Sequence, residues 1–223
     1  MYDYYMNKHL QTLFILFPLI LVLSFSSIYL DLHKKTIKTD SITEDVKVNP
    51  ITLARNIVSL IKNKDFISLS EFVDADLGVL ISPYYTFGNN QGRKLSKQEV
   101  SEFFSDDKKN SWGYQDGSGQ ELLLTDNEYY EKYIYSGDFI YLGKESINHS
   151  LVNGNTLPLN EVINNIFRPQ ILEDKEIFYV EYYISGFDQK YEGMDWQSLA
   201  LIFLDTGNNQ WVLVGILHNE WTI

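Results

Sequence analysis

Cysteine is absent from the 223 residues. That excludes thiol catalysis, disulfide bonds, cysteine-ligated zinc and a lipid-modified N-terminal cysteine. It does not exclude export. Histidine is scarce: only His9, His33, His149 and His218 occur, with no His-x-x-x-His spacing, so a multi-histidine metal centre is not expected. Basic residues are outnumbered 18 to 30, for a net charge of -12. Residues 1–48 hold five acidic residues (Asp3, Asp31, Asp40, Glu44, Asp45) and five basic ones (Lys8, Lys34, Lys35, Lys38, Lys47), so the whole excess falls on the remainder. No basic stripe offsets it, which argues against nucleic acid as a partner. An acidic surface is also the ordinary route to solubility, and so only a weak pointer to a cationic partner.

Other catalytic and cofactor signatures are missing too. Asp116-Gly-Ser-Gly119 lacks the alternating oxygen ligands and closing Glu of a calcium loop, and the Gly-Lys-Ser/Thr ending of a phosphate loop. No Gly-x-Ser-x-Gly nucleophile elbow occurs. No cofactor is expected, and the Gly-rich stretch reads as a turn.

Aromatic residues are plentiful: 16 Tyr, 13 Phe and 4 Trp, 15% of the chain, which favours sheet-rich structure. After a short start at 1–9, residues 10–30 form an apolar segment around Leu13-Phe-Ile-Leu-Phe-Pro-Leu-Ile-Leu-Val-Leu23, about long enough to span a bilayer. It reads either as an uncleaved anchor or as a signal peptide with Ser24-Phe25-Ser26 near the cleavage point. Lys34, Lys35 and Lys38 come directly after the segment, against the positive-inside rule for export. Segments of this shape nonetheless usually deliver the downstream chain to the outside. Residues 31–49 then read as a polar tether, and 50–223 as one soluble domain.

Within that domain Leu53, Ile57, Leu60 and Ile61 recur at helical spacing, and Asp65–Val73 suggests a second short helix. Val79–Phe87 is β-rich, with Pro83 pointing to an edge or bent strand. Capping boxes at Ser96-x-x-Glu99 and Thr125-x-x-Glu128 open helices to about Ser105 and Tyr135. Trp112–Leu124 reads as two strand pieces about the Gly-rich turn, and 160–167 as a helix. Ile177–Ile184, Leu199–Leu204 and Trp211–Leu217 are strands, the last two joined by a hairpin-type turn. Both are apolar on both faces, so they belong at the centre of a sheet covered by helices on one side. Helices first and antiparallel strands after give an α+β fold. The expected form is a curved sheet wrapped around a helix pair, cone-like as in the nuclear-transport-factor-2 superfamily.

Ser82-Pro-Tyr-Tyr-Thr-Phe87, Trp112-Gly-Tyr-Gln-Asp-Gly-Ser-Gly119 and Gly186–Trp196, with the terminal Gly-Ile-Leu-His-Asn-Glu-Trp-Thr-Ile223, resemble a group of uncharacterised bacterial exported proteins, often lipoproteins. The likeness covers roughly residues 50–223. It implies an envelope location and this fold, but no reaction. The missing cysteine departs from the lipoprotein pattern, so attachment would rest on the apolar segment.

The terminal strand carries the main candidates. His218 and Glu220, two apart on a strand, share a face. Carboxylates at Asp188, Glu192 or Asp195 could face them from the preceding loop. A His–carboxylate pair in a cavity is raw material for general acid–base chemistry, which makes His218 and Asp195 the catalytic candidates if the protein is an enzyme. The bland alternative, favoured on sequence, is that His218 and Glu220 cap the strand by hydrogen bonding while Trp221 and Ile223 plug the core. Tyr179, Tyr183, Trp196 and Trp112 could line an aromatic groove, though such residues more often simply pack. Candidate ligand-binding residues are thus Trp112, Tyr183, Trp196, His218 and Glu220. The expected function is a non-enzymatic domain at the outer face of a membrane, binding a small ligand or an envelope protein. The alternatives are a hydrolase- or isomerase-like cavity enzyme, and an acidic inhibitor of a basic toxin.

Overall fold

In the computed structural model, residues 49–88, 92–152, 156–168, 175–207 and 210–222 are described. The apolar segment 10–30, the tether up to residue 48 and Ile223 lie outside them. Among the described residues no helix is long and apolar enough to cross a membrane.

The first helix, α1 (Pro50–Lys62), starts where local chemistry dictates. The Asn49 side chain accepts from the Ile51 N–H at 3.0 Å, and Pro50 fills a first-turn position that needs no donor. Its apolar stripe buries Leu53, Ala54, Ile57, Val58 and Ile61. Asp65 caps the short α2 (Phe66–Ser70) through the Ser68 N–H. Gly78 enters β1 (Val79–Ser82) at φ +64°, and a Cβ there would stand 2.5 Å from the Leu95 carbonyl oxygen, so the turn requires glycine.

After β2 (Arg93–Leu95) comes α3 (Lys97–Ser101), opened by the Ser96–Glu99 capping box. It ends at Ser101 rather than near Ser105. The hairpin of β3 (Asn110–Tyr114) and β4 (Glu121–Leu124) encloses the Gly-rich turn. The Thr125–Glu128 capping box opens α4 (Asp126–Tyr129), which widens into a π-helical turn over Tyr130–Ile134. There the Tyr135 N–H reaches back five residues to the Tyr130 carbonyl, at 2.9 Å. The widened turn sends Tyr129, Tyr130, Tyr133 and Ile134 inward together.

The remaining elements are β5 (Lys144–Ile147), α5 (Leu159–Ile166), β6 (Ile177–Ile184), a 3₁₀ turn (Gln189–Tyr191), β7 (Gln197–Asp205) and β8 (Trp211–Glu220). The main sheet runs β2-β1-β8-β7-β6-β5; β1 is parallel to β8 and every other pair is antiparallel. The chain is therefore α+β with a mostly antiparallel sheet. β1 is not an edge strand, because β2 and β8 flank it and Pro83 falls just beyond its last residue, where no ladder N–H is needed.

Both faces of the sheet are covered, not one. On the first face Val180, Tyr182, Leu199, Leu201, Phe203 and Ile216 pack against α1, α2 and the aromatic π-helical turn. On the second, Tyr179, Ala200, Ile202, Leu204 and Leu217 pack against Leu159, Val162, Ile163 and Phe167 of α5 and its end. A bulge at Val214 turns β8 between these environments, and Gly215 lies against Ile202 and Phe167 with no room for a side chain.

Candidate functional site

The C-terminal end of β8 places consecutive polar side chains on opposite faces. His218 points into the first core, is fully buried, and pairs across the ladder with Leu199. Its ring meets that of Tyr133 edge-on at 5.7 Å. Neither ring nitrogen has a hydrogen-bond partner among the described residues. The nearest carboxylate is that of Glu220, with Oε2 3.7 Å from Nε2 and its side chain one-third exposed.

Tyr133 extends this cluster. Its hydroxyl lies 3.4 Å from that of Tyr84, and their rings pack edge-on. Burial first, then Tyr133 and the charge of Glu220, push the Tyr84 hydroxyl well above the ordinary tyrosine range. Tyr133 is raised as well, mainly by burial. Tyr129, whose buried hydroxyl has no hydrogen-bond partner among the described residues, packs on Tyr133 and stacks on Trp112 at 3.8 Å.

Tyr84 also forms the inner wall of a cleft of about 390 Å³ at the end of the sheet. Tyr85, Tyr114, Asp116, Asn219 and Thr222 line it too. The Thr222 hydroxyl donates to the Asp116 carboxylate, tying the chain end to the turn between β3 and β4.

Tyr85 leads to a second polar network on the opposite face. Its hydroxyl donates to Glu181 Oε1 at 2.7 Å and accepts from Ser198 Oγ at 3.1 Å. The Ser150 hydroxyl donates to both Glu181 oxygens, at 3.0 and 3.2 Å, and the Leu151 N–H donates to Oε2. Glu181 is fully buried, and among the described residues no cation stands within ion-pair distance. The adjacent residues Tyr84 and Tyr85 thus send their hydroxyls to networks on opposite faces, and both residues line one cleft.

The residues singled out from sequence do not all converge. His218 and Glu220 do share a face and a contact. Among the described residues the imidazole makes no hydrogen bond that would cap the strand, and Trp221 is 37% exposed rather than plugging the core. Asp195 is engaged in its own loop: its Oδ2 accepts from the Phe187 and Asp188 N–H groups at 3.1 and 3.0 Å. Those bonds, the one from Asp188 foremost, hold its carboxyl below the usual range. Trp112 lies in the first core with Arg93 4.7 Å above its ring, whereas Tyr183 pairs with Trp196 at 6.0 Å and Tyr179 belongs to the second core. Tyr179 and Tyr183, four apart on β6, share a face, whereas Trp112 belongs to the separate β3–β4 hairpin and packs in the first core, so the expected aromatic groove does not form.

Sequence reasoning missed Tyr84, Tyr133 and Glu181. The signal for Glu181 was present: one charge in the middle of an otherwise apolar eight-residue strand, Ile177-Phe-Tyr-Val-Glu-Tyr-Tyr-Ile184. Among the described residues no cluster of three or more His, Asp or Glu is arranged to hold a metal ion. No family model, no curated protein and no solved structure matches the chain.

Proposed function

We propose that residues 50–223 form a small-ligand-binding domain, tethered at the outer face of a bacterial membrane by the apolar segment 10–30. The ligand enters the cleft beside Tyr84 and draws on the polar cluster behind it. One observation carries this reading: His218 is fully enclosed, yet neither ring nitrogen has a hydrogen-bond partner among the described residues. Buried polar groups are nearly always paired, because an unpaired one costs on the order of 1–3 kcal/mol. His218 meets Tyr133, and Tyr133 meets Tyr84 in the cleft wall, which links the unpaired imidazole to the cleft. The parallel pairing of β1 with β8 and the helix pair on one face support a cone of the nuclear-transport-factor-2 type, an architecture that places its cavity between helices and sheet.

The test is thermal melting of the full chain against metals, sugars, peptides, small acids and amines, with His218→Gln alongside. A ligand at a hundred times its Kd stabilises by about 2.7 kcal/mol, which raises the melting point of a domain this size by roughly 5–10 °C. The expected result is such a shift for one ligand class, lost in His218→Gln. If nothing shifts the wild type and His218→Gln melts early, the residue is a latch of the core and the proposal fails.

The His218–Glu220 contact favours one second reading, general acid–base catalysis in the same cavity. It requires turnover of a stabilising ligand, abolished in His218→Gln while folding persists. Stabilisation without turnover excludes it.

A further inference from the structure

We infer that the cleft takes an organic cation, a molecule presenting an ammonium group to Tyr84, Tyr85, Tyr114 and Asp116; this rests on the ligand-binding reading above. Asp116 is the sole charged residue in the described lining, which contains no Lys or Arg. A further carboxyl group, that of Glu181, accepts from the Tyr85 hydroxyl at 2.7 Å behind the wall. An anion entering here meets Asp116 and, in the described lining, no Lys or Arg to receive it.

An ammonium group meets the reverse. Tyrosine rings carry a negative face that attracts cations, by about 0.5–2 kcal/mol per contact depending on desolvation. Tyr114 is the exposed ring of the cleft, with Tyr84 and Tyr85 almost fully buried in its wall, and an open ring beside a carboxylate is a pairing that attracts an ammonium group. Asn219, whose amide N–H₂ donates to the Thr156 hydroxyl at 2.7 Å, and Thr222, whose hydroxyl donates to Asp116, keep the rest of the lining polar. The surrounding domain carries the entire -12 excess, so its field raises the local concentration of cations at low ionic strength. A neutral sugar would hydrogen-bond to the same carboxylate, amide and hydroxyl groups but gain no charge–charge attraction from Asp116.

The experiment titrates the full chain with tetramethylammonium, choline, 3,3-dimethylbutanol (the uncharged carbon isostere of choline), glucose and acetate, following melting temperature and heat of binding. Choline and tetramethylammonium are expected to bind, with the isostere about tenfold weaker or worse, since one cation–π contact and one carboxylate together amount to that factor. Acetate is expected not to bind. Asp116→Asn, an exposed turn position, should weaken choline several-fold, as should Tyr114→Ala on the cleft rim. Glucose or the isostere binding as well as choline would overturn the cation inference while leaving a ligand site in place. An unchanged choline affinity in Asp116→Asn would also overturn it. If no compound of any class binds, the ligand-binding reading falls with it.

Discussion

Glu181→Ala is expected to destabilise the domain by roughly 3 kcal/mol, because it removes the acceptor of the buried Tyr85 hydroxyl and of two half-buried donors, at about 1–3 kcal/mol for a buried donor left unpaired. For a domain of this size that lowers the melting point by about 6–12 °C. Glu181 gathers three donors from two separate parts of the chain: the Tyr85 hydroxyl beyond β1, and the Ser150 hydroxyl and Leu151 N–H after β5. Truncation leaves the buried Tyr85 hydroxyl and the half-buried Ser150 and Leu151 donors without their acceptor. Glu181→Gln keeps one oxygen but turns an amide N–H₂ toward existing donors, so its loss should be intermediate. Tyr85→Phe combined with Glu181→Ala should cost less than the sum of the two, because each removes the other's partner. Denaturant unfolding measures all three. A Glu181→Ala variant within about 1 kcal/mol of wild type, the ordinary size of a point-mutation effect, would show that the network does not hold these segments together.

The second large effect comes from alkali. Seven tyrosines are nearly or fully buried: Tyr84, Tyr85, Tyr129, Tyr130, Tyr133, Tyr179 and Tyr182. Burial is the leading cause that raises each, Tyr130 and Tyr179 to about 12 and the others in the same direction. An acid whose folded pKa lies above its unfolded value of 10 keeps its proton only in the fold. Stability is therefore intact below pH 10 and falls as the pH rises from 10 toward the folded values. Each such group contributes a loss of up to about 1.4 kcal/mol per pH unit in that window. Tyr85 and Tyr129 alone would remove nearly 3 kcal/mol per unit, and the seven together up to about 10, against a typical total stability of 5–15 kcal/mol. The domain should unfold cooperatively between pH 10 and 12, with tyrosinate absorbance rising in step with loss of far-ultraviolet circular dichroism. Tyrosinate appearing smoothly with a midpoint near 10 while the dichroism stays native would contradict the burial.

What the sequence made legible was local. Both capping boxes depend on side chains three residues apart, and both formed where Ser96-x-x-Glu99 and Thr125-x-x-Glu128 placed them. The long strands β6, β7 and β8 announce themselves by apolar runs, and His218 and Glu220 share a face because the strand period is two. β2 and β5 were not legible. Arg93-Lys-Leu95 and Lys144-Glu-Ser-Ile147 carry no strand pattern of their own and are strands because they add to the sheet edges at β1 and β6. The helix on the second face was read from its own pattern, but its position was not, since nothing local says which side of a sheet a connection crosses. The site was half legible for the same reason. Tyr84 and Tyr133 are 49 residues apart, and Tyr85 and Glu181 are 96 apart. Such meetings belong to topology and have no signature in either stretch alone.

The claim that the sheet-end cleft and the His218 cluster form one ligand site is tested most directly by nuclear magnetic resonance. The full chain, with ¹⁵N-labelled histidine and ¹³C-labelled tyrosine, is titrated with choline and with any compound that raises the melting point. His149, exposed in a loop, serves as the internal control. The expected result is that the His218 and Tyr84 ring signals, assigned through His218→Gln and Tyr84→Phe, move together with saturation while His149 stays still. A compound that stabilises the fold yet leaves both rings unmoved would contradict the claim and place its site elsewhere on the domain.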